Sequence, residues 1–103
     1  MPKFCANLGF LFTERPFLDR FAASAKAGFS GIEYSQPYDY PAAQLAQILQ
    51  QNQLVQVLFN LPAGNWEAGE RGIACLPDRV DEFRSGVHQA ISYAKVLGNH
   101  LIN

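Results

Sequence analysis

Apolar residues recur along this chain in two rhythms. Short apolar runs read as strands at Phe4 to Leu8, Gly31 to Tyr34 and Leu54 to Asn60. Between them, apolar positions return at helical spacing. Phe17, Leu18, Phe21, Ala22 and Ala25 share one face of a helix expected from Pro16 to Ala27. Leu45, Ile48 and Leu49 do so in a second, from Pro41 to Gln51. Val80, Phe83, Val87, Ile91 and Ala94 do so in a third, which starts at Asp78 and stops at Gly98. Proline in the first turn and glycine after the last suit these boundaries. The Asp78 carboxylate, with Asp81 three residues on, is expected to cap the third helix. His100 to Asn103 opens a fourth strand.

The order is βαβαβαβ, the grammar of a parallel sheet with right-handed crossovers. Periodicity alone fits a (β/α)8 barrel or a doubly wound sheet. No Gly-x-Gly-x-x-Gly follows the first strand, which weakens a dinucleotide-binding reading. Each strand ends in a polar residue, Asn7, Glu33, Asn60 and Asn103. Strand-end polar groups on one barrel rim converge on an active-site mouth, although strands also end wherever polar loops begin. In a barrel, alternation turns Val55, Val57 and Phe59 to the helices. It turns Gln56, Leu58 and Asn60 to the interior. In the first strand, Phe4 and Ala6 oppose Cys5 and Asn7.

Composition narrows the function. A formal net charge of −1 supplies no basic footprint for nucleic acid, and no apolar run approaches membrane-spanning length. No secretion signal opens the chain, which leads to the expectation of a cytoplasmic protein. Cys5 and Cys75 form neither a CxxC pair nor a disulfide framework. A reactive thiol needs a neighbouring base that the sequence does not supply.

The segment whose composition packing does not explain is Asn60-Leu-Pro-Ala-Gly-Asn-Trp-Glu-Ala-Gly-Glu-Arg-Gly-Ile-Ala-Cys-Leu76. It follows the carboxyl end of a strand, where α/β folds place their chemistry, and long ordered loops are usually functional. Arg71 can hold a carboxylate in a bidentate fork or pair with Glu67 or Glu70 to shape the loop. Trp66 can close the barrel mouth or anchor its loop by buried area. Glu70 fits a loop-stabilising acid better than a catalytic one. Glu33 is the one carboxylate that ends a strand. It is therefore the sole candidate catalytic group, as a base or a metal ligand, and a single carboxylate cannot form an acid–base pair alone. Tyr38 and Tyr40 flank Asp39 on the rim after the second strand, where they can contact substrate or cover helix ends, the second being the better fit. His88 sits beside the apolar stripe of the third helix, and His100 has no partner at metal-ligand spacing.

Asn7-Leu8, Gly31-Ile-Glu33 with Pro37-Tyr-Asp-Tyr40, Asn60-Leu-Pro-Ala-Gly64, Gly69-Glu-Arg-Gly-Ile-Ala74 and Tyr93-Ala-Lys-Val-Leu-Gly98 resemble the N-terminal part of the hydroxypyruvate isomerase family. That family lies within the xylose-isomerase-like TIM barrels. The likeness runs the length of the chain. Asn65 stands where the resembling sequences often carry Asp, and Phe59 where His is common, departures that bear on substrate choice.

The resemblance implies an α/β fold, a (β/α)8 barrel of which residues 1–103 supply about three βα units and the start of strand four. It implies an aldose–ketose type isomerase that interconverts hydroxypyruvate and tartronate semialdehyde, or a related hydroxy-oxo acid. Substrate-binding candidates are then Asn7, Glu33, Asn60, Trp66, Glu70 and Arg71. A divalent metal of the Mg or Mn type is implied, with ligands and acid–base residues beyond residue 103, since such a barrel takes about 250 residues. The 103-residue chain by itself is accordingly expected to be inactive. The alternative is a non-catalytic barrel fragment that folds by self-association as a homo-oligomer or with its missing half.

Overall fold

The computed structural model describes residues 1–103. Four parallel strands, β1 (Cys5–Asn7), β2 (Gly31–Glu33), β3 (Val55–Phe59) and β4 (Leu101–Ile102), pair in the order β1-β2-β3-β4. Sequential order is that of a barrel wall. A doubly wound sheet reverses its strand order at a switch point, and none occurs here. The connecting helices are α1 (Arg20–Lys26), α2 (Ala42–Gln51) and α3 (Val80–Leu97).

The core lies between the helices and one face of the sheet. Ala6, Leu8, Ile32, Tyr34 and Phe59 from the strands and their ends meet Phe21, Leu45, Leu49, Ala90 and Leu97 from the helices in a single cluster. The other sheet face is open, with Val55 and Leu101 62% and 58% exposed.

Two helices begin later than their apolar stripes predict. Phe17–Asp19 forms a 3-10 turn before α1, with the Asp19 N–H on the Pro16 carbonyl at 3.0 Å. Pro16 is extended (ψ 149°), so the chain enters the helix from a strand-like residue. The Phe17 ring is wedged against Phe21, Tyr34 and Tyr40 at 5.5, 4.9 and 5.4 Å between centroids. At α3 the expected Asp78 cap is absent. Pro77–Arg79 tightens into a 3-10 turn that takes in Asp78, and Arg79 precedes the helix without a capping side chain. Asp81 and Glu82 in the first turn complement the helix dipole instead.

The alternation expected for β3 is also corrected. Ile32 pairs with Gln56, but Glu33 pairs with Leu58, so Val57 is an extra residue in the ladder. Gln56 therefore faces the core at 2% exposure, and Phe59 faces it at 0%. A β-carbon placed on Gly31 would lie 3.2 Å from Val57 Cγ2 and 3.9 Å from Cys5 Cβ. Val57 therefore shares the open side with Cys5 instead of meeting the helices. A bulge of this kind restores alternation in a new phase. It puts Phe59 inside the core and leaves Asn60 on the side of Glu33.

Candidate functional site

Asn7 and Glu33 end neighbouring strands in register, and the Asn7 Nδ2 donates to Glu33 Oε1 at 3.2 Å. Asn7 Oδ1 accepts the Gly9 N–H at 2.9 Å, which fixes the amide orientation. Asn60 follows β3, its N–H on the Ser35 carbonyl. Its Oδ1 accepts from Asn103 Nδ2 at 3.3 Å, just past β4. The four strand-end polar residues thus line the carboxyl ends of the strands as two hydrogen-bonded pairs.

Supporting side chains hold this rim. The Tyr38 hydroxyl donates to the Asn60 carbonyl at 2.5 Å, and the Tyr93 hydroxyl to the Tyr40 carbonyl at 2.6 Å. Burial raises the Tyr38 hydroxyl above the usual phenol range, and the nearby Tyr93 acts in the same direction. Both hydroxyls serve as fixed donors. The Cys5 thiol is raised as well, by burial and then by the Glu33 carboxylate, which disfavours a thiolate nucleophile.

The loop from Asn60 to Leu76 is an ordered closed turn. Asn65 starts a 3-10 turn, Trp66–Ala68, and its side chain accepts the Ala68 N–H at 3.1 Å. Its carbonyl accepts the Glu70 N–H at 3.0 Å, and the Gly72 N–H reaches the Ala63 carbonyl at 2.8 Å. Gly64 sits at the crossing with φ +86°. A β-carbon there would come within 2.7 Å of Glu70 Oε1 and 2.9 Å of Ile73 Cγ2, so the position requires glycine.

Arg71 forms no ion pair with Glu67 or Glu70. Its guanidinium lies over the Trp66 ring, 3.4 Å from the centroid. One terminal nitrogen, Nη1, donates to the Trp66 and Glu70 carbonyls at 3.0 and 2.8 Å. The Glu70 carboxylate is engaged elsewhere. It accepts the Asn65 N–H at 2.5 Å and both terminal nitrogens of Arg79. Arg79 also donates to Glu82 through Nε at 2.7 Å and Nη2 at 3.0 Å. The Arg79 and Asn65 bonds hold the Glu70 carboxyl below its usual value, and Arg79 does the same to Glu82.

Asn60, Trp66, Arg71 and Asn103 line one cavity of about 210 Å³, with Ile73 and Phe83 as its apolar wall. A second hollow of about 510 Å³, bordered by Gln36, Asp39, Asn65 and Glu67, shares Trp66 with the first. Asn7, Glu33 and Glu70 are outside both walls. Sequence reasoning missed Arg79, Glu82 and Gln36. Gln36 donates to the Leu61 carbonyl at 3.1 Å and borders both hollows. Nothing local distinguished these three from ordinary surface polar residues. His88 and His100 are both exposed.

No group of three or more His, Cys, Asp or Glu side chains converges anywhere in the chain. Glu33 stands at the rim with amides only, so these residues alone do not make the ligand set of a divalent ion. No helix is long and apolar enough to cross a membrane.

Residues 21–103 match a family described as a xylose isomerase-like TIM barrel. Hydroxypyruvate isomerase of Escherichia coli (strain K12) is 54% identical over 103 residues, which is 100% of this chain and 40% of that protein. A 2-oxo-tetronate isomerase of Pectobacterium atrosepticum is 55% identical over 97 residues, 94% of this chain and 37% of that protein. A crystal structure described as an AP endonuclease, family 2, from Brucella melitensis superposes with a TM-score of 0.96 at 49% identity. It covers 99% of this chain and 40% of that one. The chain thus spans about 40% of the length of the relatives it matches.

Proposed function

The chain belongs to the xylose isomerase-like TIM barrel family, and from that premise we propose that it is the N-terminal portion of a single barrel domain that isomerises a small hydroxy-oxo acid. The observation that carries this is the cavity in which Arg71 meets the paired amides of Asn60 and Asn103. A short acid bearing oxygen on each carbon needs a fixed cation for its carboxylate and amide groups for its hydroxyl and carbonyl oxygens. Relatives named for hydroxypyruvate and for 2-oxo-tetronate support this substrate class. The description of the Brucella melitensis structure raises DNA as another substrate, but a net charge of −1 offers no basic stripe to follow a phosphate backbone.

In this reading Arg71 binds the substrate carboxylate, Asn60 orients the neighbouring oxygen, and Trp66 keeps water from one side. Glu33, held by Asn7 on the same rim but outside that cavity wall, is the one strand-end carboxylate of this chain, and the acid–base groups that act on the carbon beside the carbonyl would come from later strands. Loss of a proton from the carbon beside the carbonyl leaves an enediolate, and the isomerisation is complete when a proton returns to the former carbonyl carbon and another passes from the hydroxyl oxygen to the former carbonyl oxygen. Hydroxypyruvate so treated becomes tartronate semialdehyde, with no net gain or loss of atoms. The family implies a divalent ion of the Mg or Mn type, whose ligands would come from outside this chain. Glu70 keeps the loop closed and is placed here as a supporting contact to the binding residues.

The test is turnover of hydroxypyruvate and of a 2-oxo-tetronate by the full-length protein, read as aldehyde formation and carbonyl migration. Activity on either, lost in Arg71→Ala, supports the reading. No turnover of either by folded protein supplied with magnesium or manganese defeats it.

One observation favours a second reading. Val55 and Leu101 are exposed on the open sheet face, and apolar parallel strands ordinarily have both faces covered. A chain that acts only as a barrel segment would cover that face with a second copy or with the rest of the barrel. Sedimentation equilibrium separates the two cases, since a catalytically silent homo-oligomer would have a multiple of the 11.4 kDa chain mass.

A further inference from the structure

The Arg71 stack is not self-supporting. Its guanidinium is held from below by Trp66 and from one end by the Trp66 and Glu70 carbonyls. All of these belong to the same exposed turn. The charged tie between that turn and a helix is Arg79, which grips the Glu70 carboxylate with both terminal nitrogens and is itself held by Glu82 in the first turn of α3. Glu70 passes the constraint on in two directions. Its carboxylate holds the Asn65 N–H at the start of the Trp66 turn, and its carbonyl holds Arg71 Nη1. Arg79 is only about a quarter exposed at its side chain, like Glu70. A planar fork can hold two carboxylates at once, whereas an ammonium reaches one well.

We propose that Arg79 is the positioning residue of this site: by clasping Glu70 to α3 through Glu82, it sets Arg71 over Trp66 with Nε and Nη2 free for a substrate carboxylate. This rests on Arg71 being the carboxylate ligand, and it adds a residue that touches no substrate. Because the chain has one tryptophan, Trp66 emission reports both the stack and ligand arrival without interference.

The experiment compares wild type, Arg79→Ala, Arg79→Lys, Glu70→Gln and Arg71→Ala by Trp66 emission and by titration with hydroxypyruvate in the full-length protein, provided other tryptophans there are first replaced by phenylalanine. Far-UV circular dichroism reports folding. Arg79→Ala is expected to shift the unliganded emission to that of Arg71→Ala and to raise KM for hydroxypyruvate about tenfold with kcat nearly unchanged. Arg79→Lys is expected to fall between the two. If Arg79→Ala does not fold, Glu70→Gln cuts the same tie while leaving the Arg79–Glu82 pair intact, and the same shifts are expected there. Wild-type emission and wild-type KM in folded Arg79→Ala or Glu70→Gln overturn the clasp. Wild-type affinity in Arg71→Ala instead overturns the carboxylate reading, and the emission comparison still decides whether Arg79 positions Arg71.

Discussion

Arg71 rests on Trp66, with its guanidinium carbon 3.4 Å from the centroid of the indole ring, at the wall of the cavity that also holds Asn60 and Asn103. Stacking fixes the plane of the fork, and the two carbonyl contacts fix its rotation. The ordering entropy of a long flexible side chain is thereby spent on folding and is not charged again on binding.

Replacing the fork tests that arrangement. Arg71→Lys keeps the charge and loses both the stack and the second donor. Charge-assisted hydrogen bonds contribute about 1.5–3 kcal/mol each, so kcat/KM for a hydroxy-oxo acid is expected to drop about tenfold or more. Arg71→Ala is expected to drop further. Melting temperature measured alongside separates the outcomes: an alanine variant that melts early yet keeps normal kinetics at low temperature would assign Arg71 to loop structure alone.

Gly64→Ala strikes the crossing of the loop. The left-handed backbone (φ +86°) and the 2.7 Å approach to Glu70 Oε1 act together. A loss of about 1–3 kcal/mol in chemical denaturation is expected, along with a changed Trp66 emission. Gly69→Ala offers a comparison, because its φ of +92° carries the backbone cost with open space around the β-carbon. Equal losses at both sites would mean that the contact with Glu70 contributes nothing.

The clasp carries a pH signature. The Glu70 and Glu82 carboxyls are held below their usual range, chiefly by hydrogen bonds from Arg79. A depressed folded value means the contribution is present above the ordinary glutamate pKa and is lost as the pH falls through the folded value. Urea denaturation between about pH 5 and pH 3 is therefore expected to show a steeper loss in wild type than in Glu70→Gln. Parallel curves would show that the pair is fully screened by solvent.

Gln56 brings an amide into the core. It is 2% exposed beside the Tyr34 hydroxyl, and neither amide atom makes a hydrogen bond of standard geometry. An unsatisfied buried polar group costs about 1–3 kcal/mol. Gln56→Met keeps the length and removes the amide, so thermal unfolding is expected to move upward. A downward shift would show that the amide is bonded, through Tyr34 or a buried water.

Much of this was legible in the sequence, for a local reason. The apolar stripes of the three helices and the alternation of short runs depend on near neighbours, and they gave the elements and their order. The strand-end positions of Asn7, Glu33, Asn60 and Asn103 followed from the same rhythm. What escaped depends on partners distant in sequence or on small changes of backbone phase. Val57 looks like any strand valine, and only pairing against β2 makes it the extra residue. Asp78 carries the right group for a cap, but Pro77 tightens the turn around it. Arg79 has the composition of a surface arginine until Glu70, nine residues back, folds onto it. Of the two arrangements expected for Arg71, the ion pair with Glu67 or Glu70 does not form, because Glu70 turns to Arg79 and Arg71 lies on Trp66.

The extra residue at Val57 gives β3 two independent halves. Upstream, a change of side-chain size is answered by Ile32 and the helices. Downstream, the chain starts counting afresh, so the mouth keeps its amide whatever repacking occurs at the base. Were Val57 instead to pair with Glu33 in an unbroken ladder, Asn60 and Phe59 would exchange places, turning a polar doorway into a phenyl plug and burying an amide in the oil beneath. One step of register thus separates an open threshold from a sealed one.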